Sequence, residues 1–274
     1  YWNKGRPQIE TPDQKQMRLN PAYRWSNQLI QNTQVNGMSS FDSGNIGVLS
    51  AKFGALTGMR EVGYTLKMIQ ESNYNTAFIG RKELQNADGS TNLVVTDNLI
   101  GSVNPSEDLY GTKYPGSIVI NGRNLYWLDT IKGKVIRESG NQPFPISDYG
   151  MVKYWRDASL TIDGLGYDVF AGFDKQTEQL FITYRRTGAD VFTLSFYDPE
   201  RDGIEKGWVS FHDFTKVISL ATTPIDFYGW VGQVFTSALG NGLYKHNVGS
   251  SYLQLYGEQK TMKVTSSFML NPDQ

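Results

Sequence analysis

From about residue 46 onward, apolar clusters of strand length recur along the chain, each bounded by Gly, Asn or Asp. Runs this short, punctuated by turn-forming residues, predict β-strands rather than helices. Residues 62–70 and 77–79 are strand candidates, and Ala87-Asp88-Gly89-Ser90 supplies a turn before residues 93–96. The clearest hairpin spans residues 117–129: Ile118, Val119 and Ile120 lead into Asn121-Gly122, and residues 124–129 return with Leu, Tyr and Trp. Asn-Gly suits a type I′ turn, which needs positive φ at both central positions. Residues 134–138 follow Lys132-Gly133 as a third strand.

Residues 167–220 repeat this design on a larger scale. Strand candidates at 168–173, 179–185, 192–197 and 208–211 alternate with polar turns, and four antiparallel strands in about 50 residues is the size of one propeller blade. A similar run covers 225–231, 233–238 and 243–246, with Gly240-Asn241-Gly242 between its last two strands. Leu125-Tyr126-Trp127-Leu128-Asp129 and Leu194-Ser195-Phe196-Tyr197-Asp198 echo each other as apolar-aromatic strands closed by Asp. The expected fold is therefore mostly β, with propeller-like blades of antiparallel strands; a multi-hairpin β-sandwich is the alternative. Helix is expected for a turn or two only, at residues 21–29 after Asn20.

The first 45 residues differ. They are polar, rich in Asn, Gln and Pro, and lack any sustained period of two or 3.6, which predicts an extended docking arm ahead of a β domain at 46–274. Residues 1–60 carry seven Lys/Arg against three Asp/Glu, whereas the whole chain has a formal net charge of −1. The chain starts at Tyr1, and both ends read like the interior of a larger subunit. No apolar run approaches the roughly 18 residues of a membrane helix, so no membrane insertion by helix is expected.

Cysteine is absent, which excludes disulfides, thiolate metal sites and cysteine nucleophiles. His212 and His246 are the only histidines. His212-Asp213 invites a triad reading, but strand neighbours point to opposite faces, and no Gly-x-Ser-x-Gly elbow accompanies them. Asp198-Pro199-Glu200-Arg201-Asp202-Gly203 resembles the start of a calcium loop, yet Val209 stands where the closing bidentate Glu belongs. That segment reads as a surface turn whose carboxylates cap backbone N–H groups. Gly164-Leu165-Gly166 and Gly240-Asn241-Gly242 neither complete a phosphate-loop pattern nor open a helix, and read as turns. Glu107-Asp108 would need a cleft to act as an acid/base pair. No cofactor, metal or catalytic residue is assigned, and the chain is not expected to be an enzyme. Trp155, Trp208 and Trp230 are expected in the core. In the arm, Trp2, Tyr23 and Trp25 with Arg6, Arg18 and Arg24 are of the types that anchor interfaces.

Several phrases resemble a family of bacteriophage virion proteins, the stabilisation, tail-nozzle or muzzle proteins, especially those of crAss-like phages of Bacteroidales. They are Asn3-Lys4-Gly5-Arg6-Pro7, Arg24-Trp25-Ser26-Asn27, Asn36-Gly37-Met38-Ser39-Ser40-Phe41, Arg60-Glu61-Val62-Gly63-Tyr64-Thr65-Leu66-Lys67, Pro145-Ile146-Ser147-Asp148-Tyr149, residues 198–214, and Gly242-Leu243-Tyr244-Lys245-His246-Asn247. Their order along the chain carries the likeness. The resemblance implies a structural component of a short-tailed phage tail, located in the virion, arranged as a homo-oligomeric ring, often of six. It further implies contacts with other tail and portal-proximal proteins, and packaged DNA in the channel that the ring narrows. Composition alone leaves a second reading open, a carbohydrate-binding or glycan-hydrolysing propeller that uses loop carboxylates such as Asp198, Glu200, Asp202 and Asp213 with aromatic platforms.

Overall fold

The computed structural model describes residues 19–27, 37–85, 91–140, 142–186, 191–199, 203–213, 225–239, 242–249, 254–255 and 258–259. The chain is mostly β, 52% strand with one α-helix among the described residues, as the turn-punctuated apolar runs predict. Its sheets are antiparallel and grow hairpin by hairpin.

A two-stranded ribbon pairs β1 (Ala22–Arg24) with β2 (Ile46–Val48). The first four-stranded sheet contains β3 (Leu56–Val62), β4 (Thr65–Gln70), β5 (Tyr74–Gln85) and β6 (Thr91–Pro105). The second contains β7 (Val119–Asn121), β8 (Asn124–Asp129), β9 (Lys134–Ser139) and β10 (Gln142–Pro145). Helix α1 (Val152–Leu165) leads to the third, made of β11 (Asp168–Asp174), β12 (Gln179–Arg185), β13 (Val191–Tyr197) and β14 (Gly207–Asp213). The fourth has three strands, β15 (Ile225–Val231), β16 (Val234–Leu239) and β17 (Gly242–Lys245), and a short pair β18 (Gln254–Leu255) and β19 (Glu258–Gln259) follows. No closed propeller or barrel forms among the described residues.

Three expectations are corrected. Residues 62–70 are not one strand: Gly63 and Tyr64 turn between β3 and β4. Residues 22–24 are strand rather than helix, because they pair with β2. The helix lies instead at Val152–Leu165, burying Trp155, Ala158, Ser159 and Ile162 along one stripe of helical spacing. Gly166, at φ 70°, ends it in the left-handed region, and its N–H and that of Tyr167 both reach the Ile162 carbonyl.

The hairpin turns share one device. In the β7–β8 hairpin Asn121 pairs with Asn124, so the central residues are Gly122 and Arg123, one place beyond the expected Asn121-Gly122. Gly122 has φ 59° and Arg123 does not share the positive sign, the type II′ pattern with Gly first. Gly63-Tyr64 and Gly232-Gln233 occupy the same two places between paired Val62 and Thr65 and between paired Val231 and Val234. Longer turns use a strand-end aspartate. Asp129 accepts the Lys132 N–H at 2.9 Å, and Asp174 accepts the Gln176 N–H at 2.9 Å and the Thr177 hydroxyl at 2.9 Å.

Strand alternation then stacks the sheets in chain order, each inner strand burying side chains on both faces. From β4, Leu66 and Met68 face the ribbon side, with Leu49, Ala77 and Val103, while Ile69 faces the second sheet with Tyr74, Ile118, Leu125, Trp127 and Ile136. From β8, Tyr126 and Leu128 join Val135, Phe173, Leu180, Ile182, Leu194 and Phe196 between the second and third sheets, where Trp155 of α1 also packs. Phe181 of the third sheet meets Phe235 of the fourth with ring centroids 5.7 Å apart. The opening strand β11 lies beside the opening strands β7 and β15 of the adjoining sheets.

Candidate assembly interface

Each seam between stacked sheets holds a polar cluster that fixes its register. Between the first and second sheets, the Lys67 ammonium donates to Glu138 at 2.9 Å and to the Thr76 hydroxyl at 3.0 Å. Between the second and third, Asp198 accepts from the Tyr126 hydroxyl at 2.5 Å and the Arg137 guanidinium at 2.8 Å, with the Lys206 ammonium 2.6 Å away. Burial, reinforced by the Asp198 charge, pushes the Tyr126 phenol up and keeps it protonated as the donor. Between the third and fourth sheets, the Thr183 hydroxyl meets Thr193 at 2.7 Å and Tyr228 at 2.6 Å, and burial pushes the Tyr228 phenol up to about 12. The Trp230 indole donates to the Phe173 carbonyl at 3.0 Å and Asn247 donates to Asp174 at 2.7 Å.

These clusters correct the expectation for Asp198 at the start of the 198–203 loop; Gly203 at its end is exposed, as a surface turn requires. Asp198 is buried with cationic and phenolic partners instead of capping a surface turn; residues 200–202 lie outside the described residues. Among the described residues no group of three or more His, Cys, Asp or Glu is placed to hold a metal ion. His212 and Asp213 occupy successive positions of β14, opposite Thr193 and Phe192; their side chains are outside the described set. His246 contacts the Ser237 hydroxyl at 2.8 Å and packs against Phe235 and Phe181. Glu107 and Asp108 are exposed after β6; Gly164-Leu165-Gly166 is not a turn, since Gly164 and Leu165 form the last residues of α1 and Gly166 closes it. Trp155 is fully buried, while Trp208 and Trp230 are half-buried at seams.

Two open depressions offer little convergent chemistry. One, of about 290 Å³, is lined by Asn121, Gly122, Phe173, Lys175 and Glu178 and has a single carboxylate. The other, of about 250 Å³, contains Asp129, whose oxygens already accept the Lys132 and Gly111 N–H groups. Burial pushes the Asp129 carboxyl up, and those N–H groups pull against it.

The arm divides between the two sides of its ribbon. Trp2, Arg6 and Arg18 lie outside the described residues. Tyr23 faces inward, onto the cluster of Leu49, Met68 and Ala77, and burial raises its phenol. Gly47 makes this possible, since a Cβ there would sit 2.3 Å from the Tyr23 ring. Trp25 is half-buried beside Tyr23, with ring centroids 5.8 Å apart. Arg24 is exposed and donates to the Asp42 carbonyl at 3.2 Å. Of the three described anchor candidates, then, Tyr23 covers the chain's own first sheet, with Trp25 against its ring. The exposed side carries residues that sequence reasoning passed over: Ile46 and Val48 on the ribbon, with Met38 and Phe41 nearby in sequence. The alternation of Ile46-Gly47-Val48 was the available signal.

The β5–β6 hairpin is a second projecting element. β4 pairs only with residues 74–78 of β5, and beyond that point β5 and β6 continue as a two-stranded ribbon through bulges near Ile79, with Leu93 and Val94 exposed. Comparison with protein-family models and with curated proteins yields no match.

Proposed function

We propose that this chain is a non-catalytic structural subunit of an assembly, a component of the ring that ends a short-tailed phage tail and narrows its DNA exit channel. The observation that carries the assembly reading is how the molecule uses its polar and apolar groups. Buried charges and hydroxyls are spent in the seams between sheets, while apolar side chains such as Ile46, Val48, Phe227 and Leu243 stay in water on ribbon and sheet faces. Of the loop carboxylates the glycan-hydrolysing alternative would use, Asp198 is buried and engaged by Arg137, Lys206 and Tyr126 rather than open to a sugar.

The four sheets are read here as propeller-like blades. Sequential antiparallel meanders and opening strands β7, β11 and β15 running side by side support that reading. Placement in a phage tail rests on the ordered phrases of the sequence, and homo-oligomerisation and neighbouring tail proteins follow from it.

Gold-labelled antibody against this chain, applied to intact particles of the phage that encodes it, tests the placement. Label confined to the tail tip is expected. Label absent from particles, or ordered oligosaccharide bound between carboxylates of a soaked crystal, contradicts it.

A further inference from the structure

The mouth of the seam between the second and third sheets holds a polar group that the seam itself does not use. Asn121, the last residue of β7, is 5% exposed, and its side-chain amide has no hydrogen-bond partner among the described residues. Buried amides nearly always have one, so an exception calls for an explanation. Asn121 lines the depression of about 290 Å³ whose other walls are Gly122, Phe173, Lys175 and Glu178. A single carboxylate is too few for acid/base work, but binding asks only for a few complementary polar groups in a concave site.

The turn on the far side of the depression is held in place. Asp174 fixes it by accepting from the Gln176 N–H and the Thr177 hydroxyl. Glu178 ends that turn at φ 53°, in the left-handed region, and its carbonyl accepts the Asp198 N–H at 2.9 Å. Glycine would adopt this conformation without strain; glutamate adopts it at a cost and adds a carboxylate to the rim. That carboxylate has no ion pair or hydrogen bond among the described residues. Lys175 is exposed, with its ammonium 5.9 Å from the centre of the Trp230 ring. Phe173 stacks on Tyr126 with ring centroids 5.6 Å apart, which closes the depression from behind. The site thus offers one negative charge, one positive charge and an amide able both to donate and to accept.

We propose that this depression binds a small zwitterion, a free α-amino acid. Its ammonium meets the Glu178 carboxylate and the Asn121 carbonyl oxygen, and its carboxylate meets the Lys175 ammonium and the Asn121 NH2 group. A simple anion leaves Glu178 facing a like charge, and a simple cation does the same to Lys175. A neutral sugar answers neither charge, and Phe173, 4% exposed, gives a sugar ring no platform. The volume lies at the small end of ligand pockets, roughly 300–1,000 Å³, which suits a ligand of this size. The site goes beyond the assembly reading and does not depend on it.

The test is a titration of the full 274-residue chain with L-alanine, followed through the NMR signals of the Asn121 side-chain amide. Saturable shifts are expected. Methylamine, propionate and glucose each lack one or both charges and are expected to bind more weakly by about tenfold or more. Glu178→Gly suits the left-handed backbone, so it is expected to fold like the wild type by circular dichroism while weakening alanine binding by about tenfold or more. Lys175→Met, on an exposed side chain, is expected to weaken it likewise. Absence of any shift with alanine at tens of millimolar, any of the three other probes binding as tightly as alanine, or alanine binding unchanged in both variants overturns the site. Each of those results leaves the assembly reading standing.

Discussion

The ammonium of Lys67 on β4 lies 2.9 Å from the carboxylate of Glu138 on β9, and both side chains are 1% exposed. They come from neighbouring sheets, 71 residues apart in sequence. An ion pair this deep offsets its own desolvation only while both partners are present. Lys67→Met or Glu138→Leu alone is expected to destabilise by about 3–5 kcal/mol. The double replacement is expected to recover most of that loss, since an apolar pair leaves no charge stranded. Urea unfolding of the two single variants and the double variant checks this; additive losses contradict the coupling.

Gly122 opens the β7–β8 turn at φ 59°. Replacing it with Val puts a β-branched side chain in the left-handed region and is expected to cost about 1 kcal/mol or more. Arg123→Gly, at the second position, is expected to change stability by only a few tenths of that. Thermal melts of the two variants separate this turn, with Gly first, from the type I′ turn that the Asn-Gly dipeptide implies.

His246 gives the stack a pH dependence of known sign. Burial pushes its imidazole below the usual value of 6.5, against the weaker opposite pull of the Asp174 charge. The folded state therefore binds a proton less readily than the unfolded chain does. Stability from this residue is full above about pH 6.5 and declines as pH falls toward the folded value. The melting temperature is expected to drop between pH 7 and pH 5, and His246→Gln to flatten that part of the curve. An unchanged slope in the variant contradicts the assignment.

Tyr23 anchors the ribbon over the first sheet. Tyr23→Ala is expected to destabilise by about 2–4 kcal/mol, in the range for a large side chain lost from a core site. Removal of residues 1–45 is accordingly expected to uncover Leu66, Met68 and Ala77 and to lower the melting temperature as well as to prevent assembly. Loss of assembly at an unchanged melting temperature shows that the ribbon serves the neighbour alone.

The third and fourth sheets were legible in the sequence because their strands are apolar, aromatic and β-branched and are cut by polar turns. Strands 168–173, 179–185 and 192–197 match β11, β12 and β13 within a residue. The turn register was missed because Asn-Gly drew attention to the wrong pair, whereas the recurring signal is Gly followed by a larger residue, as in Gly63-Tyr64, Gly122-Arg123 and Gly232-Gln233. Helix α1 was missed because Ala158 and Ser159 weaken its buried stripe and leave Trp155 and Ile162 to carry the period. The arm reading placed aromatics at an interface by residue type. Which side of a ribbon they face depends on pairing, and Tyr23 opposite Gly47 is a long-range fact that local pattern does not encode. Asp198 was legible as a turn residue and not as a seam ligand, because its partners Tyr126 and Arg137 are 72 and 61 residues away.

The mass and symmetry of the native assembly test the central claim most directly. Cryo-electron microscopy of the particle is expected to show copies of this chain in a rotationally symmetric ring at the tail end. Density for isolated monomers, or for this chain only away from the tail, contradicts the account.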